Sequence, residues 1–230
     1  MLKPRLIWQM MFDDGVLVRT KRFVPDYVYT RAFLGAEAAD EVLLLDITRS
    51  GPSEASRRVM AEYADRCFVP ATMGGNIHTL DDVKLFFDIG ADKVVVGRSA
   101  LTLCDGVASK WGCQAITVGV DSRTYPDLDL VAMASVLRLR GAGEILLQSV
   151  GRDGSLRGYD IDLLKRMAAV VDCPVIIGGG YGGWRHAREA IDAGASGCAM
   201  SNIFHLTETH MRLVKHNLAE EGVPVREEVF

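Results

Sequence analysis

Short runs of aliphatic and β-branched residues alternate along the chain with longer segments whose apolar residues recur every three or four positions. The first pattern predicts buried strands, and the second predicts amphipathic helices. Eight strands are predicted, over residues 5–11, 41–47, 69–73, 93–96, 115–120, 144–149, 174–177 and 197–200. Eight helices are predicted, over residues 26–39, 53–66, 80–89, 104–111, 129–140, 160–171, 184–193 and 208–220. This regular alternation is typical of an α/β fold with a parallel sheet.

The chain also carries an internal repeat. The motif Pro-Ala-Thr-Met-Gly-Gly at 70–75 returns as Pro-Val-Ile-Ile-Gly-Gly at 174–179, which is an offset of 104 residues. The motif Glu-Val-Leu-Leu at 41–44 returns as Glu-Ile-Leu-Leu at 144–147, which is an offset of 103. A sustained offset of this kind indicates two similar halves. The expected fold is therefore a (β/α)8 TIM barrel built from two similar half-barrels, forming a single domain over residues 1–230.

Length and composition narrow the function classes. The 230 residues fall slightly short of the roughly 250 that such a barrel usually needs. Apolar residues make up 49% of the chain, which excludes collagen-like and disordered classes. A formal net charge of −4 argues against nucleic-acid binding. The chain shows neither an 18-residue apolar run nor a signal peptide, so a cytoplasmic protein without membrane contact is expected.

Cysteine and histidine patterns give no sign of a metal site. The five cysteines contain no CxxC pair, and the five histidines show neither HxH nor HExxH spacing. Scattered cysteines of this kind indicate reduced core thiols. The sequence therefore predicts no metal and no cofactor.

Three carboxylates follow predicted strands at the end of the barrel where active sites lie. Asp46 follows the second strand, Asp121 the fifth and Asp153 the sixth. Converging carboxylates suit general acid–base chemistry on a sugar or an imine. The alternative is that each aspartate only caps the helix that follows it.

Two glycine-rich clusters, related by the repeat, lie at the same end. Backbone N–H groups in such loops bind phosphate. The first predicted phosphate site contains Gly75, Asn76, Gly97 and Arg98, and the second contains Gly179, Gly180 and Ser201, with Asn202 beside it. Arg98 adds a side chain capable of a bidentate phosphate contact. Two such sites predict a ligand with a phosphate at each end, or one long phosphorylated ligand, unless the glycines serve only tight turns.

Charged residues begin four strands at the opposite end, which we call the floor. These residues are Arg5, Glu41, Lys93 and Glu144. Because side chains alternate along a strand, residues 5, 7, 9 and 11 share one face. If that face points to the barrel axis, the four charges form a closed ring of ion pairs, as buried charges require. The alternative is four separate, solvated residues.

Ordered stretches along the whole chain resemble the cyclase subunit (HisF) of imidazole glycerol phosphate synthase. These stretches are residues 41–48, 90–94, 140–147, 152–154, 158–160 and 203–205. The resemblance implies a barrel that receives ammonia from a glutaminase (HisH-like) partner through a gate in its floor and passes it up the core. The gate residues of that family fall on Arg5, Glu41, Lys93 and Glu144, and Asp92 falls where the family contacts the glutaminase.

The same resemblance indicates that residues have changed at the end of the barrel opposite the floor, which we call the mouth. That family uses two catalytic aspartates, and here the second is Asp121 while the first position holds Met11. A thioether cannot transfer a proton near neutral pH. Asp13 or Asp14 could substitute only with a rearranged loop. Asn76, Gly97, Arg98 and Gln148 depart from the family, whereas Asp46, Asp153, Gly179, Gly180 and Ser201 match it. The substrate contacts expected from the resemblance are Asp46, Asp153, Arg19 and Gln148.

A retained inlet with a remodelled mouth predicts a divergent paralogue that delivers ammonia to a different acceptor. The expected acceptor is a phosphorylated or nucleotide-linked sugar, amidated or aminated in surface-polysaccharide synthesis, sometimes with a separate ATP-using synthetase. One alternative is the parent cyclase activity in histidine synthesis. Another is a non-catalytic ammonia conduit. A third is the sister isomerase of the pathway, against which the complete gate argues.

Overall fold

The computed structural model describes residues 3–29, 38–201 and 210–226. Its strands are β1 (Arg5–Asp13), β2 (Val16–Lys21), β3 (Val24–Val28), β4 (Glu41–Asp46), β5 (Ala71–Gly74), β6 (Lys93–Val96), β7 (Ile116–Val120), β8 (Glu144–Gln148), β9 (Val175–Gly178) and β10 (Gly197–Met200). Its helices are α1 (Glu54–Ala64), α2 (Leu80–Asp88), α3 (Ala100–Trp111), α4 (Leu130–Leu139), α5 (Ile161–Ala168), α6 (Trp184–Asp192) and α7 (Met211–Glu220).

Eight parallel strands close into a barrel. β1 and β4 to β10 are neighbours in order, and β10 pairs with β1 through Arg5 and Gly197 to close the ring. Apolar side chains such as Ile7, Leu43 and Leu146 fill the interior, while alternate residues pack against the outer helices. The predicted (β/α)8 barrel is confirmed.

The internal repeat is visible in the backbone. Gly75 and Gly179 have φ values of +91° and +87°. A Cβ atom at Gly75 would lie 1.9 Å from the carbonyl oxygen of Asp46, and one at Gly179 would lie 2.5 Å from that of Ser149. Only glycine fits both positions. The two halves of the barrel therefore build the same tight approach between neighbouring loops.

An antiparallel hairpin departs from the predicted pattern. β1 continues past the barrel and pairs with β2, which pairs with β3. The helix predicted over 26–39 is therefore wrong at its start, because Val24–Val28 is a strand, and residues 30–37 lie outside the described part. The turn is Asp14 and Gly15 with φ of +49° and +77°, a combination that favours a tight hairpin.

The remaining helices follow the predictions with small shifts at their ends. α3 begins at Ala100 rather than at 104, and α7 begins at Met211, while residues 202–209, including Asn202, are outside the described ranges. None of the described helices has the length and apolar character that a membrane crossing requires. All five cysteines are free; Cys104 and Cys198 are buried as expected for core thiols, but Cys113 is exposed.

Candidate active site

A cleft of about 480 Å³ opens at the carboxyl ends of β4 to β8. Seven of the predicted site residues line it together: Asp46, Gly75, Asn76, Gly97, Arg98, Asp121 and Gln148. They meet there because the carboxyl ends of parallel strands share one end of a barrel. We call this space the mouth cleft.

Four more predicted site residues lie in a separate, much smaller pocket. Asp153, Gly179, Gly180 and Ser201 line it, with Tyr181 beside them. The structure therefore assembles two clusters at the mouth: the mouth cleft draws on loops from both halves of the barrel, and the small pocket draws on the second half.

The β2–β3 hairpin lies between the two spaces. The carboxylate of Asp153 accepts hydrogen bonds from the Thr20 hydroxyl at 2.6 Å and from the Phe23 N–H at 3.0 Å. On the other side, Phe23 lines the mouth cleft, and its carbonyl accepts from the Arg123 guanidinium at 3.2 Å. Burial raises the pKa of Asp153, although the hydrogen bonds from Thr20 and Phe23 oppose the shift. The hairpin thus crosses the mouth from β1 to the loops after β7 and β8.

The Asp46 carboxylate is occupied by its own surroundings. It is 4% exposed and accepts from the N–H and hydroxyl of Thr48 at 3.1 and 2.6 Å. It also accepts from the Ser53 N–H at 3.1 Å, the Ser56 hydroxyl at 3.0 Å and the Asn76 amide at 3.3 Å. Five donors fill the acceptor positions of a carboxylate. In this structure Asp46 holds the β4–α1 loop in place, including the turn that carries Ser53 as the N-cap of α1.

The Asp121 carboxylate keeps a partly exposed face on the cleft wall. One oxygen accepts from the N–H groups of Arg123 and Thr124 at 2.7 and 2.8 Å. The other accepts only from the Thr124 hydroxyl, at 2.7 Å. The first oxygen fixes the turn, and the second retains capacity for one more partner. Asp121 can therefore act on a bound ligand without losing its support.

Met11 is part of the apolar interior. It is 2% exposed and packs with Val18 and Leu45. Its Sδ accepts a weak hydrogen bond from the Thr20 hydroxyl at 3.3 Å. Among the described residues that line the mouth cleft, neither Asp13 nor Asp14 is present. The Asp14 carboxylate instead accepts from the Ser53 hydroxyl at 2.8 Å.

Arg19 lies on the hairpin rather than in either space. Its guanidinium donates to both carboxylate oxygens of Asp26, at 2.9 and 3.0 Å. It also lies 5.4 Å from the ring centre of Tyr27. The hydrogen bond from Arg19 lowers the pKa of Asp26. Arg19, which was expected to contact the substrate, therefore forms an ion pair within the hairpin and lines neither the mouth cleft nor the small pocket.

The mouth cleft also contains residues that the sequence reading missed. Arg49 and Arg123 line it beside Arg98, and Phe23 contributes an apolar wall. Arg49 and Arg123 each follow shortly after a barrel strand. The positional rule that identified Arg98 would have found both, because they lie in loops at the same end of the barrel.

The four floor charges form a closed ring of ion pairs. Arg5 contacts Glu41 at 2.7 Å and also pairs with Glu144. Lys93 contacts Glu41 at 3.2 Å and Glu144 at 3.0 Å. Burial alone would raise the pKa of Glu144, but the charges of Arg5 and Lys93 outweigh it and the pKa is lowered. Each charge in the ring therefore has two partners of opposite sign.

Hydroxyl groups complete this ring, and apolar residues follow above it. Thr72 donates to Glu41 at 2.6 Å, and Thr117 donates to Glu144 at 3.2 Å. The next layers of the interior are mainly apolar and include Ile7, Leu43, Val95, Leu146, Ile176 and Ala199, with the buried amide of Gln9 on the same face of β1 as Ile7. The barrel axis thus runs from a charged seal at the floor, through a mainly apolar interior, to the mouth cleft.

The floor face also exposes large apolar groups. Phe68 and Leu139 are 102% and 88% exposed, and both lie just before barrel strands, at the floor end. Asp92 lies there as well, where its carboxylate accepts from the Ala71 N–H at 2.8 Å. Phe68 and Leu139 therefore offer exposed apolar surface at the end of the barrel that also carries Asp92.

Fold and site together define a (β/α)8 barrel with a cleft lined by arginines and glycine-rich loops at its mouth and a ring of ion pairs at its floor. The chain belongs to the histidine biosynthesis protein family, whose model matches residues 11–210. It is 34% identical to the imidazole glycerol phosphate synthase subunit HisF of Mycobacterium bovis and to that of Mycobacterium tuberculosis. Each alignment covers 98% of this chain and 96% of the relative. The resemblance read from the sequence is confirmed.

Proposed function

We propose that this protein is the ammonia-using synthase subunit of a glutamine amidotransferase, with an acceptor other than that of its HisF relatives. The proposed acceptor is a phosphorylated or nucleotide-linked sugar that is amidated or aminated during surface-polysaccharide synthesis. A glutaminase (HisH-like) subunit docks on the floor and supplies ammonia.

The ion-pair ring of Arg5, Glu41, Lys93 and Glu144 is the observation that carries this proposal. Four charges that are largely withdrawn from water carry a desolvation cost, and apolar replacements of buried pairs are often neutral or stabilising. Stability therefore gives no reason for the ring. The ring is explained if it controls a passage that stays closed to water and opens for a small neutral molecule. The apolar interior above the ring suits ammonia better than ammonium.

The floor surface supports a docked partner. This end of the barrel exposes the apolar side chains of Phe68 and Leu139 together with the charge of Asp92. An apolar anchor beside polar residues is the usual composition of a protein interface. A glutaminase bound there would release ammonia directly below the ring.

The mouth supports a different acceptor. With Met11 in the apolar interior, Asp121 is the remaining carboxylate with free acceptor capacity in the mouth cleft, among the described residues that line it. We assign Asp121 the acid–base role. Asp46 and Asp153 hold the loops that shape the two spaces, and Gln148 faces the acceptor. Phosphate groups would be held by Gly75, Asn76, Gly97 and Arg98, and by Gly179, Gly180 and Ser201.

Co-expression with the glutaminase subunits of the same genome tests whether one of them docks on the floor. We expect one glutaminase to co-purify with the barrel and to hydrolyse glutamine faster in the complex. Phe68→Ser with Leu139→Ser should weaken that complex, while Leu213→Ser, an exposed apolar residue on α7, serves as the matched control. If no glutaminase binds, the ammonia-using function is rejected.

The second candidate is the cyclase of histidine synthesis, and 34% identity to HisF subunits over 98% of the chain favours it. Complementation of a bacterial strain that lacks the cyclase separates the two. We expect no growth without histidine, because Met11 cannot transfer a proton. Growth would identify the parent activity and overturn the changed-acceptor proposal.

The third candidate is a conduit that passes ammonia to a separate ATP-using synthetase. The three hydrogen bonds from its own turn to Asp121 favour it, because they give the carboxylate a purely structural task. Asp121→Asn keeps an oxygen acceptor but removes the acid–base group. We expect product formation to fall by at least about 100-fold, as for loss of a general acid or base. Unchanged product formation would identify the conduit.

A further inference from the structure

Three arginines line the mouth cleft. Arg49 follows β4, Arg98 follows β6 and Arg123 follows β7, and all three are exposed. Within the part of the chain that the structure describes, the contacts of these guanidinium groups include no ion pair with an acidic side chain; Arg123 donates to the Phe23 carbonyl. Like charges that face one cavity repel one another, and a bound anion relieves that repulsion.

A helix N-terminus adds to this positive end of the cleft. α3 is twelve residues long and begins next to Ser99, which lines the cleft. Ser99 makes no side-chain cap hydrogen bond, whereas Ser53, Thr79, Asp129 and Asp160 cap their own helices. The first N–H groups of α3 therefore carry the partial positive charge of the helix toward a ligand.

The cleft wall at the end of β8 carries a buried amide. Gln148 is 4% exposed and lines the cleft, and among the described residues neither its Nε2 nor its Oε1 has a hydrogen-bond partner. Its amide packs against Gly178, where a Cβ would lie 2.3 Å from its Oε1. A buried amide without partners destabilises the fold unless a ligand engages it. A rotation of this side chain would direct the amide to a ligand in the cleft.

The separation of the arginines sets the size of the anion. Arg49 and Arg123 belong to loops three strands apart, and neighbouring strands lie about 4.8 Å apart. Two linked phosphates offer acceptor oxygens to both loops and to the α3 N-terminus at the same time, and a cleft of about 480 Å³ holds a ligand of that size.

We propose that the mouth cleft binds a sugar linked to a nucleoside through a diphosphate, with the diphosphate on Arg49, Arg98 and Arg123. The uncharged sugar lies toward Gln148. Asp121 is then next to it, since Val120 pairs with Leu147 and Asp121 follows on the neighbouring strand. This assignment rests on the proposed function, and it selects the nucleotide-linked acceptor over the simple sugar phosphate.

Calorimetric titration with UDP-glucose and glucose 1-phosphate as probes tests the proposal at constant ionic strength. We expect UDP-glucose to bind at least about tenfold more tightly, because charge-assisted contacts to the second phosphate are lost in the monophosphate. Arg49→Gln and Arg98→Gln should each weaken UDP-glucose binding by about tenfold and reduce that preference. Thermal midpoints should stay unchanged, since both side chains are exposed.

Arg152→Gln is the matched control. Arg152 is an arginine at the same end of the barrel, 4.0 Å from Asp160, and it does not line the mouth cleft. It should leave UDP-glucose binding unchanged. Equal binding of the two probes, no binding of either, or an unchanged preference in Arg98→Gln would each overturn the proposal. The glutaminase test depends on the floor, and the complementation test depends on the chemistry at the mouth. If either contradicts the proposed function, UDP-glucose can still bind the mouth cleft. The titration therefore tests diphosphate binding separately from the proposed function.

Discussion

The hydroxyl of Thr20 donates a hydrogen bond of 2.6 Å to the carboxylate of Asp153, joining β2 to the loop that follows β8. Gly154 makes this contact possible, because a Cβ there would lie 2.6 Å from the Thr20 carbonyl oxygen. The hairpin is thereby held against the far side of the mouth. It separates the mouth cleft from the small pocket of Gly179 and Gly180, so one phosphate-type cluster is open and the other is covered.

Thr20→Val should release the hairpin. Valine keeps the shape of threonine but leaves the buried Asp153 carboxylate without its hydroxyl donor, which costs about 1–3 kcal/mol. We expect faster hydrogen exchange in β2 and β3 and a lower free energy of unfolding by that amount. Thr20→Ser keeps the hydroxyl and should retain most of the protection. Equal protection in the valine variant would show that the Thr20–Asp153 bond does not hold the hairpin.

Glu144→Gln should change how stability depends on pH. The pKa of Glu144 in the fold lies below its ordinary value of 4.5, so its ion pairs stabilise the fold above pH 4.5 and this stabilisation is lost as the pH falls through the lowered pKa. At neutral pH we expect the variant to lose about 3 kcal/mol, since one partner of a buried network is removed. The difference in the free energy of unfolding between this variant and the unsubstituted protein should shrink at acid pH.

Denaturant unfolding at neutral pH and below pH 4.5 measures this effect. Asp172→Asn is the control, because Asp172 pairs with Arg138 at the surface and is 81% exposed. That variant should change stability little at either pH. A pH-independent loss in Glu144→Gln would mean that packing, and not ionisation, accounts for the contribution of this residue.

The barrel could be predicted from the sequence because its signals are local. Aliphatic runs such as 41–47 end at polar residues, and the strand alternation that places Arg5 and Met11 on one face also places the floor charges toward the axis. The hairpin was missed although its signal was present. Asp14 and Gly15 form the turn, and the β-branched residues Val16, Val18 and Thr20 follow at every second position, but the helical spacing over 26–39 predicts no strand partner for them.

The state of individual site residues could not be predicted, because it depends on contacts between distant loops. Asp46 has the position of a substrate contact, yet five donors from its own and the next loop occupy it. Arg19 has the residue type of a phosphate contact, yet it pairs with Asp26 across a hairpin that was not foreseen. Position along the chain indicates which residues can reach the mouth, whereas the packing of the loops decides which of them remain available.

Met11→Asp should not restore the parent chemistry. The new carboxylate would enter an apolar interior beside Val18 and Leu45 with the Thr20 hydroxyl as a neighbour, and a buried polar group that is incompletely hydrogen-bonded costs about 1–3 kcal/mol there. We expect a less stable protein that still fails to complement a cyclase-deficient strain. Met11→Leu, which conserves volume, should cost less than about 1.5 kcal/mol. Complementation by the aspartate variant would show that position 11 alone separates this chain from the cyclase.

Gln148→Met should stabilise the protein and weaken ligand binding at the same time. Both amide atoms of Gln148 are buried without a partner, so replacement by an apolar side chain of similar length removes an unmet hydrogen-bonding demand. We expect a gain of about 1 kcal/mol in the free energy of unfolding. If the amide contacts the sugar of the acceptor, UDP-glucose should bind less tightly to the variant. Gln114→Met is the control, because Gln114 is exposed and its amide donates to the Trp111 carbonyl at 3.1 Å. A loss of stability in Gln148→Met would show that the amide has a partner in the fold, and unchanged UDP-glucose binding would remove Gln148 from the acceptor site.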